Sequence, residues 1–574
     1  MLNKKVADIF RNIAHILEIK GDNPFKIRAY LKAADSLENV TEDLEDVERE
    51  GRLAQIEGIG KDLAAKISEF IGFDRIKYYD ELKKEVPGGL LDLLSIPGVG
   101  PKTAKLLYDK LKIADINTLE KYAREGKLRN LEGLKEKTEE NILRGIELVK
   151  KGRERMDLGT AFITADKFIS LLQDKPYVKK ISFAGSLRRM KDTVRDIDIL
   201  ISSAHPEKVI DDFTRVEEVK SILNKGDTKS AVLTGDGVQV DLRVVPDNSF
   251  GAALLYFSGS KAHNIKLRQL AQKKGLKINE YGVFRARSVE DRAKAIAGKT
   301  ENEIYKLLGM PFIEPELRED NGELEAALKN KLPVLINSDD IKGDLHMHSL
   351  YSDGHYSIKD MANAALKKGY DYVALTDHSI ALKVANGLDL AALKRKRLEI
   401  EKLNKGLKIR ILFGTEVELD NDGNTDYSDK VLSEFDIVVG AIHSGFRQPK
   451  EKITKRLIKA CRNRHIDIIA HPTGRLWGVR DAYEVDFGAF FKAAADTGTF
   501  LEINSFPTRL DLNDVNARHA KESGVKIAIS TDSHHIAQLD FIRFGVAVAR
   551  RAWMTKHDVA NTLSLKELMR VKKK

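Results

Sequence analysis

The sequence predicts a multidomain chain that is α-helical at first, α+β in the middle and α/β in its second half. Its 574 residues exceed what one hydrophobic core accommodates. Apolar residues recur at three- and four-residue spacing to about residue 150, β-rich segments follow, and from residue 341 short apolar strands alternate with helices. The predicted segments are 1–80, 81–151, 152–247, 248–317, a charged linker at 318–340, and 341–574.

Composition excludes several classes of protein. The sequence has no apolar run long enough for a transmembrane helix, MLNKKVADIF lacks the apolar core of a signal peptide, and a single cysteine, Cys461, excludes an internal disulfide framework. We therefore expect a cytoplasmic protein. The net charge is −1 over residues 1–150, +3 over 151–340 and +8 over 341–574. Charge alone thus indicates only contact with something anionic.

A pattern of helix, two glycines and helix occurs twice in the helical part. LAQIEGIGKDLAAKI starts at residue 53, LLSIPGVGPKTAKLL at residue 93, and LRNLEGLKEKTEENI, from residue 128, is a weaker copy. Glycine lets backbone N–H groups approach a phosphate, and the helix N-terminus that follows favours an anion. The alternative is a pair of tight turns used for packing. The pattern resembles the helix-hairpin-helix motif, which binds the DNA backbone, and this implies contacts from Gly58, Gly60, Gly98, Gly100, Lys102 and Thr103.

Two aspartates in FAGSLRRMKDTVRDIDILI, residues 183–201, predict a metal site. Asp196 and Asp198 are one residue apart in a strand, so their carboxylates point to the same face and repel each other unless a cation lies between them. Carboxylate oxygens suit Mg²⁺, and Asp241 in VQVDLRV could add a third ligand from a neighbouring strand. Two such ions would align a 3′-hydroxyl and stabilise a leaving pyrophosphate. The alternative is a solvent-facing pair on an edge strand.

These motifs resemble the nucleotidyltransferase signature of DNA polymerase beta and its bacterial relatives in family X. The spacing from Gly185 to Asp196, YFSGSKAHNIKLR (256–268) and INEYGVF (278–284) carry the resemblance, which spans residues 1–317. It implies a helical lyase-like domain, helix-hairpin-helix fingers, a palm with an antiparallel or mixed sheet, and a thumb. It also implies that Ser186 and Arg189 hold the triphosphate of a dNTP. The full nucleotide site would comprise Gly185, Ser186, Arg189, Tyr256, Phe257, Gly259, Asn264 and Arg268.

The same resemblance implies a 5′-deoxyribose-phosphate lyase site in residues 1–80. Lys66 falls on the family's Schiff-base lysine, and Lys26 and Tyr30 fall on its phosphate-contacting positions. One departure is Asp62, which replaces a second lysine of the family's pocket. It lowers the local positive potential and should weaken binding of the 5′-phosphate. The alternative is that Lys66 is an ordinary solvated lysine.

Potential metal ligands end successive predicted strands of the second half. Ten of the fourteen histidines lie between residues 346 and 535. Side chains at the C-terminal ends of such strands converge on one mouth of a barrel, and mixed histidine and carboxylate sets suit Zn²⁺, Mn²⁺ or Fe²⁺. The candidates exceed what one ion needs, so we expect two or three ions. They are His346, His348, Asp353, His378, Glu416, His443, His471, Asp532 and His534.

The motifs HMHSLYSDG, TDH, GTEVEL, AIHS, AHPTG and STDSH resemble the polymerase-and-histidinol-phosphatase (PHP) family. The resemblance implies a distorted, TIM-like (β/α)7 barrel over residues 341–574 in which all nine ligand positions are filled. Ions of this kind activate water for attack on phosphorus and neutralise the charge that develops. His355, His465 and His535 match no ligand position, and Asn504 is expected to support the ligands.

The sequence thus predicts a DNA repair enzyme with two activities. It would use dNTPs and two Mg²⁺ ions to fill short gaps. It would also process 3′ ends as a 3′–5′ exonuclease or act as an AP endonuclease, with Mn²⁺ or Zn²⁺ in the barrel. We expect a monomer that binds gapped or nicked DNA in the nucleoid and has no membrane partner. Two alternatives stay open: a small-molecule phosphatase fused to an inactive nucleotidyltransferase, and a DNA-binding protein with both sites inert.

Overall fold

The chain folds into two compact units, residues 1–153 with 478–481, and residues 154–477 with 482–574. The computed structural model describes residues 2–39, 44–56, 58–96, 98–285 and 295–572. Within these ranges, no helix is both long enough and apolar enough to cross a membrane.

The first unit is helical, as predicted. Its helices all contribute to one apolar core. Helix-spaced residues such as Val6, Phe10, Ile13 and Leu17 are fully buried, because an amphipathic helix turns its apolar stripe inwards. In chain order the helices are α1 (Leu2–Lys20), α2 (Pro24–Asn39), α3 (Leu44–Arg49), α4 (Lys61–Phe73), α5 (Lys77–Lys84), α6 (Leu90–Leu93), α7 (Pro101–Leu111), α8 (Ile116–Arg124) and α9 (Glu136–Glu154).

The second unit begins with the palm, whose main sheet is mixed, in agreement with the prediction. Its elements are β1 (Met156–Asp157), α10 (Leu158–Leu172), β2 (Lys180–Phe183), α11 (Gly185–Arg188), β3 (Thr193–Val194), β4 (Asp196–Ser202), α12 (Pro206–Thr214), β5 (Val219–Lys225), β6 (Lys229–Thr234) and β7 (Gln239–Val245). The main sheet has the order β2–β4–β7–β6–β5. Strands β4 and β7 run parallel and the other neighbours antiparallel. The parallel pairing sets Asp198 opposite Asp241.

A small helical region with a hairpin follows the palm. Its elements are α13 (Phe250–Ser258), α14 (Lys261–Lys273), β8 (Leu276–Asn279), β9 (Gly282–Arg285), α15 (Glu301–Leu307) and α16 (Glu323–Leu328). Strands β8 and β9 are antiparallel. Leu267, Ile304 and Leu324 belong to one apolar core, so α14, α15 and α16 pack together.

The segment 318–340, predicted to be a linker, is packed at both of its ends. Arg318 and Glu323 are fully buried, and the Glu323 carboxylate lies 2.7 Å from Nδ1 of His263. Leu324 joins the core of the region described above, whereas Ile336 joins the core of the C-terminal half. This segment is therefore not a free tether.

The C-terminal half is a seven-stranded parallel barrel, as predicted. Its elements are β10 (Gly343–Met347), α17 (Ile358–Lys367), β11 (Tyr372–Leu375), α18 (Leu390–Leu403), β12 (Arg410–Glu418), α19 (Asp429–Leu432), β13 (Ile437–Ala441), α20 (Lys450–Arg462), β14 (Ile468–Ile469), α21 (Phe487–Thr497), β15 (Phe500–Asn504), α22 (Asp514–Glu522), β16 (Ile527–Ser530), α23 (Ile542–Arg551) and α24 (Leu565–Val571). The sheet closes beyond β16, where the Asp532 N–H donates to the His346 carbonyl and the His348 N–H to the Ser533 carbonyl. The C-terminal strand ends therefore surround one mouth.

The palm and the barrel share one apolar core. Phe162 of α10 packs edge-on against Phe544 of α23, with ring centroids 5.9 Å apart. The barrel's Arg475 donates a 2.7 Å hydrogen bond from Nη1 to the carboxylate of the palm's Asp192. Buried residues of both parts form one continuous cluster. Palm and barrel are therefore one structural unit.

Candidate active sites

The two glycine turns of the first unit have the same backbone geometry. Gly58 and Gly98 have φ of 80° and 94°, a region that disfavours residues with a Cβ. Gly60 and Gly100 cap α4 and α7, with φ/ψ of −82°/174° and −87°/174°. A Cβ on Gly60 or Gly100 would meet no described atom within 4 Å. Neither backbone strain nor internal packing requires glycine at these two caps. Glycine here leaves the backbone accessible, and this favours binding of a ligand directly to the backbone. Lys102 and Thr103 lie in the first turn of α7.

The weaker third copy forms a related turn with a different charge. Gly133 has φ of 84°, but Lys135 stands where the other copies have their second glycine, and α9 begins at the next residue. The first turn of α9 carries Glu136 and Glu139. Glu139 is buried and accepts a 2.8 Å hydrogen bond from Nε of Arg129. Acidic side chains at the start of this helix oppose the binding of a phosphate, so this third copy is assigned to packing within the first unit and not to DNA binding.

Tyr78 is the centre of the cluster around Lys66. The phenol of Tyr78 accepts a 2.7 Å hydrogen bond from Nζ of Lys26, and its ring stacks on Tyr30 with centroids 6.3 Å apart. Nζ of Lys66 lies 5.4 Å from the centroid of the Tyr78 ring and 2.6 Å from Oδ2 of Asp62. Burial raises the pKa of Tyr30. An open cavity of about 350 Å³ borders Asp62, Lys66 and Tyr78. Lys26, Tyr30 and Lys66 therefore all contact Tyr78, a residue that was not among the predicted ones.

The three palm aspartates share one face of the sheet. Asp196 and Asp198 are alternate residues of β4, and Asp241 is directly opposite Asp198 on β7. Burial, together with Asp196 and Asp241, raises the pKa of Asp198 to about 7. Burial also raises the pKa of Asp241, although a hydrogen bond from Gln239 opposes the shift. Carboxylates so placed favour a divalent cation between them.

Gly185 fits against the aspartate site with no space for a side chain. Its φ is 60°, and a Cβ there would lie 2.2 Å from Oδ2 of Asp198. The Ala184 N–H donates a 2.7 Å hydrogen bond to the Asp198 carbonyl, which fixes the start of α11 beside β4. Ser186 follows in the first turn of α11. The glycine therefore allows α11 to approach the face that carries the three aspartates.

Arg189 joins the two halves of the predicted nucleotide site. Its Nη1 donates to the carbonyl of Ser258 and would lie 3.1 Å from a Cβ on Gly259. Tyr256 and Phe257 meet edge-to-face, with centroids 5.1 Å apart. Residues further along α14 continue this surface: Nδ2 of Asn264 donates to the Tyr256 carbonyl at 2.7 Å, and Nε of Arg268 donates to the Asn264 carbonyl at 3.2 Å.

The predicted barrel ligands lie together at the mouth. Eight of them form three groups whose ligand atoms lie within 4.8 Å of one another among the described residues. The ninth, His471, lies beside them, with Nε2 3.1 Å from Oε1 of Glu416. The groups are His348, Asp353, His378 and His534; His346, His348 and Asp532; and His378, Glu416 and His443.

The spacing and burial of these atoms fit bound metal ions. Two ligands about 2.1 Å from one tetrahedral ion lie about 3.4 Å apart. The His346 Nε2–Glu416 Oε2 distance is 3.4 Å, the His348 Nε2–Asp532 Oδ1 distance 3.2 Å and the His534 Nε2–Asp353 Oδ1 distance 3.3 Å. Among the described residues, no hydrogen-bond partner reaches four buried atoms: Nε2 of His346, both ring nitrogens of His348 and Oε2 of Glu416. Buried polar atoms are normally paired, and a metal ion at this mouth would pair these four.

Electrostatics at the mouth favour the ligating form of His348. Burial, with the imidazoles of His534 and His378 nearby, lowers the pKa of His348 to about 4. The ring is therefore neutral at physiological pH, and neutral imidazole is the form that binds a metal. Burial opposes the charge of Glu416, but His346, His378 and His443 lower its pKa well below the usual range.

Carboxylates behind the ligands hold two of the rings in place. Nδ1 of His346 lies 2.8 Å from Oε1 of Glu502, and Nδ1 of His443 lies 2.8 Å from Oε2 of Glu418. Such pairing fixes the ring orientation and leaves Nε2 for the ion. Nδ2 of Asn504 donates to both Glu502 and Asp532, in keeping with its predicted supporting place. Glu418 and Glu502 were not among the predicted residues, although Glu418 is two residues from Glu416 on the same strand face.

An arginine beside the metal ligands was also missed. Nε of Arg509 lies 3.7 Å from Oδ2 of Asp532, and its buried Nη1 has no hydrogen-bond partner within the described part of the chain. Arg509 follows β15 in the loop after Asn504, and its carbonyl accepts a 2.9 Å hydrogen bond from Nε of Arg475. A guanidinium here can neutralise charge on a phosphate. His355 and His535 pair with each other at the rim, with centroids 6.2 Å apart, and belong to none of the ligand groups.

Family models match four parts of the chain. They describe a helix-hairpin-helix domain, a SAM-like helix-hairpin-helix tandem, a DNA polymerase beta thumb and a PHP domain, at residues 1–72, 90–147, 253–319 and 344–506 respectively. The fold and the two sites thus define a nucleotidyltransferase palm joined to a PHP-type phosphoesterase barrel.

Relatives match either the whole chain or one of its halves. The chain is 41% identical over 571 residues to the DNA polymerase/3′-5′ exonuclease PolX of Bacillus subtilis (strain 168), a match that covers 99% of both chains. It therefore belongs to the family X DNA polymerases that carry a C-terminal PHP domain. Rat DNA polymerase lambda is 26% identical over 345 residues, 55% of this chain and 56% of that protein. A probable phosphatase of Thermoanaerobacter sp. (strain X514) is 32% identical over 247 residues, 40% of this chain and 95% of its own length.

Proposed function

We propose that the protein is a DNA polymerase that fills short gaps during repair and uses its barrel to remove nucleotides from 3′ ends. The observation that carries this proposal is the completeness of both sites. Asp196, Asp198 and Asp241 share one face of the palm, and three ligand groups share one mouth of the barrel. Gapped or nicked DNA and dNTPs are the substrates that this combination supports.

In the palm, the chain's own residues would position the reactants. Asp196, Asp198 and Asp241 would hold divalent ions, and these would supply the Lewis acid for attack by a 3′-hydroxyl and departure of pyrophosphate. Arg189 would pair with the triphosphate, because a guanidinium binds phosphate oxygens in a fixed geometry. Gly259, which approaches Arg189 closely, leaves space for the nucleotide beside Tyr256 and Phe257.

Gly185, Ser186, Asn264 and Arg268 complete the nucleotide site in this proposal. Gly185 admits α11 next to the aspartates, and Ser186 offers a hydroxyl and a backbone N–H to the phosphates. Asn264 and Arg268 extend along α14 from the Tyr256 carbonyl and would face the nascent base pair.

In the barrel, histidine and carboxylate side chains would hold Mn²⁺ or Zn²⁺, which activate water and neutralise charge on phosphorus. Glu502 and Glu418 keep the His346 and His443 rings oriented towards the ions. The guanidinium of Arg509, whose Nε lies 3.7 Å from Oδ2 of Asp532, would neutralise charge on the scissile phosphate. The ligands in this proposal are His346, His348, Asp353, His378, Glu416, His443, His471, Asp532 and His534.

In the first unit, the helix caps would bind the DNA backbone. A Cβ on Gly60, Gly98 or Gly100 would meet no described atom within 4 Å, so a phosphate could approach these turns, and Lys102 and Thr103 flank the second. Gly58 would occupy the matching position of the first turn. Lys66 would form the Schiff base of a lyase reaction, with Lys26 and Tyr30 near the 5′-phosphate. The Lys66 ammonium, which pairs with Asp62, must lose a proton before its neutral amine can attack the sugar aldehyde. We also propose a monomer that acts in the nucleoid.

One gel separates the two activities. A 5′-labelled primer on a gapped template is incubated with and without dNTPs, in Mg²⁺ and in Mn²⁺. We expect extension with dNTPs and shortening without them. Asp198→Ala should abolish extension alone, and His346→Ala with His348→Ala should abolish shortening alone, because the ligand sets are separate. Loss of both activities in a folded Asp198→Ala protein would refute the two-site proposal.

A matched control and a second substrate complete this test. His465→Ala removes a histidine that belongs to none of the ligand groups and should leave both activities unchanged. The similarity of the barrel to a probable phosphatase favours a second candidate, a phosphomonoesterase. A primer that ends in a 3′-phosphate, compared with histidinol phosphate, tests it. Hydrolysis of histidinol phosphate without action on either DNA end would replace the nuclease with a small-molecule phosphatase.

A further inference from the structure

The guanidinium of Arg551 joins the barrel to the nucleotide site of the palm. Arg551 is the last residue of α23, and its side chain is 3% exposed. On the barrel side, its Nη2 lies 2.6 Å from Oδ2 of Asp514. On the palm side, its Nη1 donates a 2.7 Å hydrogen bond to the carbonyl of Arg189 and lies 3.1 Å from Oε1 of Glu319.

Arg189 is held by Arg551 through two routes. The first is the direct hydrogen bond to its carbonyl. The second is Glu319, whose Oε1 also accepts a 3.0 Å hydrogen bond from Nε of Arg189. One carboxylate oxygen is therefore shared between a barrel arginine and the palm arginine. With Nε held by Glu319 and Nη1 by the Ser258 carbonyl, the guanidinium of Arg189 is fixed beside Gly259.

Burial makes this arrangement hard to change. Arg551 is almost fully buried, and two carboxylates balance its charge. Removal of one member of such a buried set leaves an uncompensated charge, so the partners must rearrange. Arg189 and Lys191 are the cations that can then move towards Glu319, since Nζ of Lys191 lies 3.8 Å from the same oxygen. Any such movement of Arg189 displaces its guanidinium.

We infer that Arg551, a residue of the barrel, is a positioning residue for nucleotide binding in the palm. It holds Arg189 in the place where that side chain meets the triphosphate. It touches no reacting atom, and its effect on polymerisation passes through Arg189 and Glu319. This inference rests on the proposed polymerase activity and extends it: the barrel is needed for dNTP affinity even when its own metal site is inactive.

The test is single-nucleotide insertion into gapped DNA by the full chain. Arg551→Met keeps a long unbranched side chain but removes the charge and the donors. We expect its KM for the correct dNTP to rise about tenfold, because a displaced guanidinium no longer meets the triphosphate in an ordered geometry. We expect kcat to stay within about twofold, because Asp196, Asp198 and Asp241 are unchanged. A merely structural role would lower the folded fraction, and hence kcat, without a change in KM.

Arg550→Met is the matched control. Arg550 is the adjacent residue of α23, and its Nε lies 2.7 Å from Oε1 of Glu316, while Nη1 donates to the Ile336 carbonyl. These hydrogen bonds resemble those of Arg551 but lie away from Arg189. KM for dNTP should be unchanged in this variant. An equal rise of KM in both variants would overturn the inference, because a general loosening of the barrel would then explain it.

A conservative variant keeps the inference testable if Arg551→Met does not fold. Arg551→Lys retains the charge near Asp514 and Glu319 but cannot reach the Arg189 carbonyl with a second donor. Its KM should rise about threefold, and an unchanged KM would overturn the inference. The wild-type reaction separates this failure from failure of the proposed function: if wild type does not extend the primer, the polymerase proposal fails. If wild type extends the primer and KM for dNTP is unchanged in the Arg551 variants, only the proposed role of Arg551 fails.

Discussion

Replacing Gly185 with alanine should remove polymerase activity without unfolding the protein. The added Cβ would lie 2.2 Å from Oδ2 of Asp198. Non-bonded heavy atoms in contact are normally about 3.5 Å apart, so the carboxylate would have to retreat by about 1 Å. A displacement of this size at a reacting centre costs about 10²-fold in rate. The φ of 60° adds about 1–2 kcal/mol of backbone strain, which a domain of this size tolerates.

The assay compares insertion rate, nuclease rate and thermal stability of Gly185→Ala with those of Gly235→Ala. Gly235 lies in the palm, and a Cβ there would meet no described atom within 4 Å. We expect insertion to fall at least about 10²-fold in Gly185→Ala and to stay within about twofold in the control, while nuclease activity is retained in both. Insertion within about threefold of wild type, in a folded Gly185→Ala protein, would refute the reasoning. Parallel loss of nuclease activity would indicate unfolding instead.

Three further predictions concern the other sites. Gly100→Ala should weaken binding to all DNA sequences alike, and fluorescence anisotropy should show a salt slope of affinity reduced by about 0.9 for each DNA phosphate that the turn no longer binds. A weakening that depends on DNA sequence would contradict backbone binding by this turn. Lys66→Ala should abolish a borohydride-trapped adduct with a 5′-deoxyribose phosphate end, whereas Asp62→Asn should increase its yield; an undiminished adduct in Lys66→Ala would move the nucleophile elsewhere. Glu502→Gln should lower the metal content of the purified protein and reduce the nuclease rate about 10–100-fold, because the His346 ring loses its carboxylate partner. Unchanged metal content would show that Glu502 does not support the metal site.

The grouping of the candidate ligands at one mouth of the barrel could be predicted because the order of residues along the chain determines which side chains end the strands. In a parallel barrel every strand ends at the same mouth, so a histidine at the end of an apolar run, such as His378 or His443, must lie at that mouth. The palm aspartates follow the same logic, since alternation along β4 sets Asp196 and Asp198 on one face. In both cases a local pattern determines the position of the side chain.

The supporting residues could not be predicted because their partners are distant in the chain. Arg551 reaches Arg189, 362 residues away, and the pairing depends on how the barrel packs on the palm. Glu502 lies between the apolar residues Leu501 and Ile503 of β15, and its contact with His346 of β10 depends on how these two strands lie in the barrel. The linker prediction for 318–340 relied on a charged composition, but Arg318 and Glu323 are buried in ion pairs and hydrogen bonds that sequence alone does not reveal.

The shared core of palm and barrel has a consequence for how the protein melts. Because Phe162 and Phe544 pack within one continuous apolar cluster, loss of either part exposes the surface that covers the other. Regions that share one apolar cluster unfold together, even when they carry different activities. Heat should therefore inactivate gap filling and 3′-end removal along one curve, and calorimetry should record a single transition for residues 154–477 and 482–574. A polymerase fragment that ends before the barrel would expose to water the apolar palm residues that the barrel normally covers.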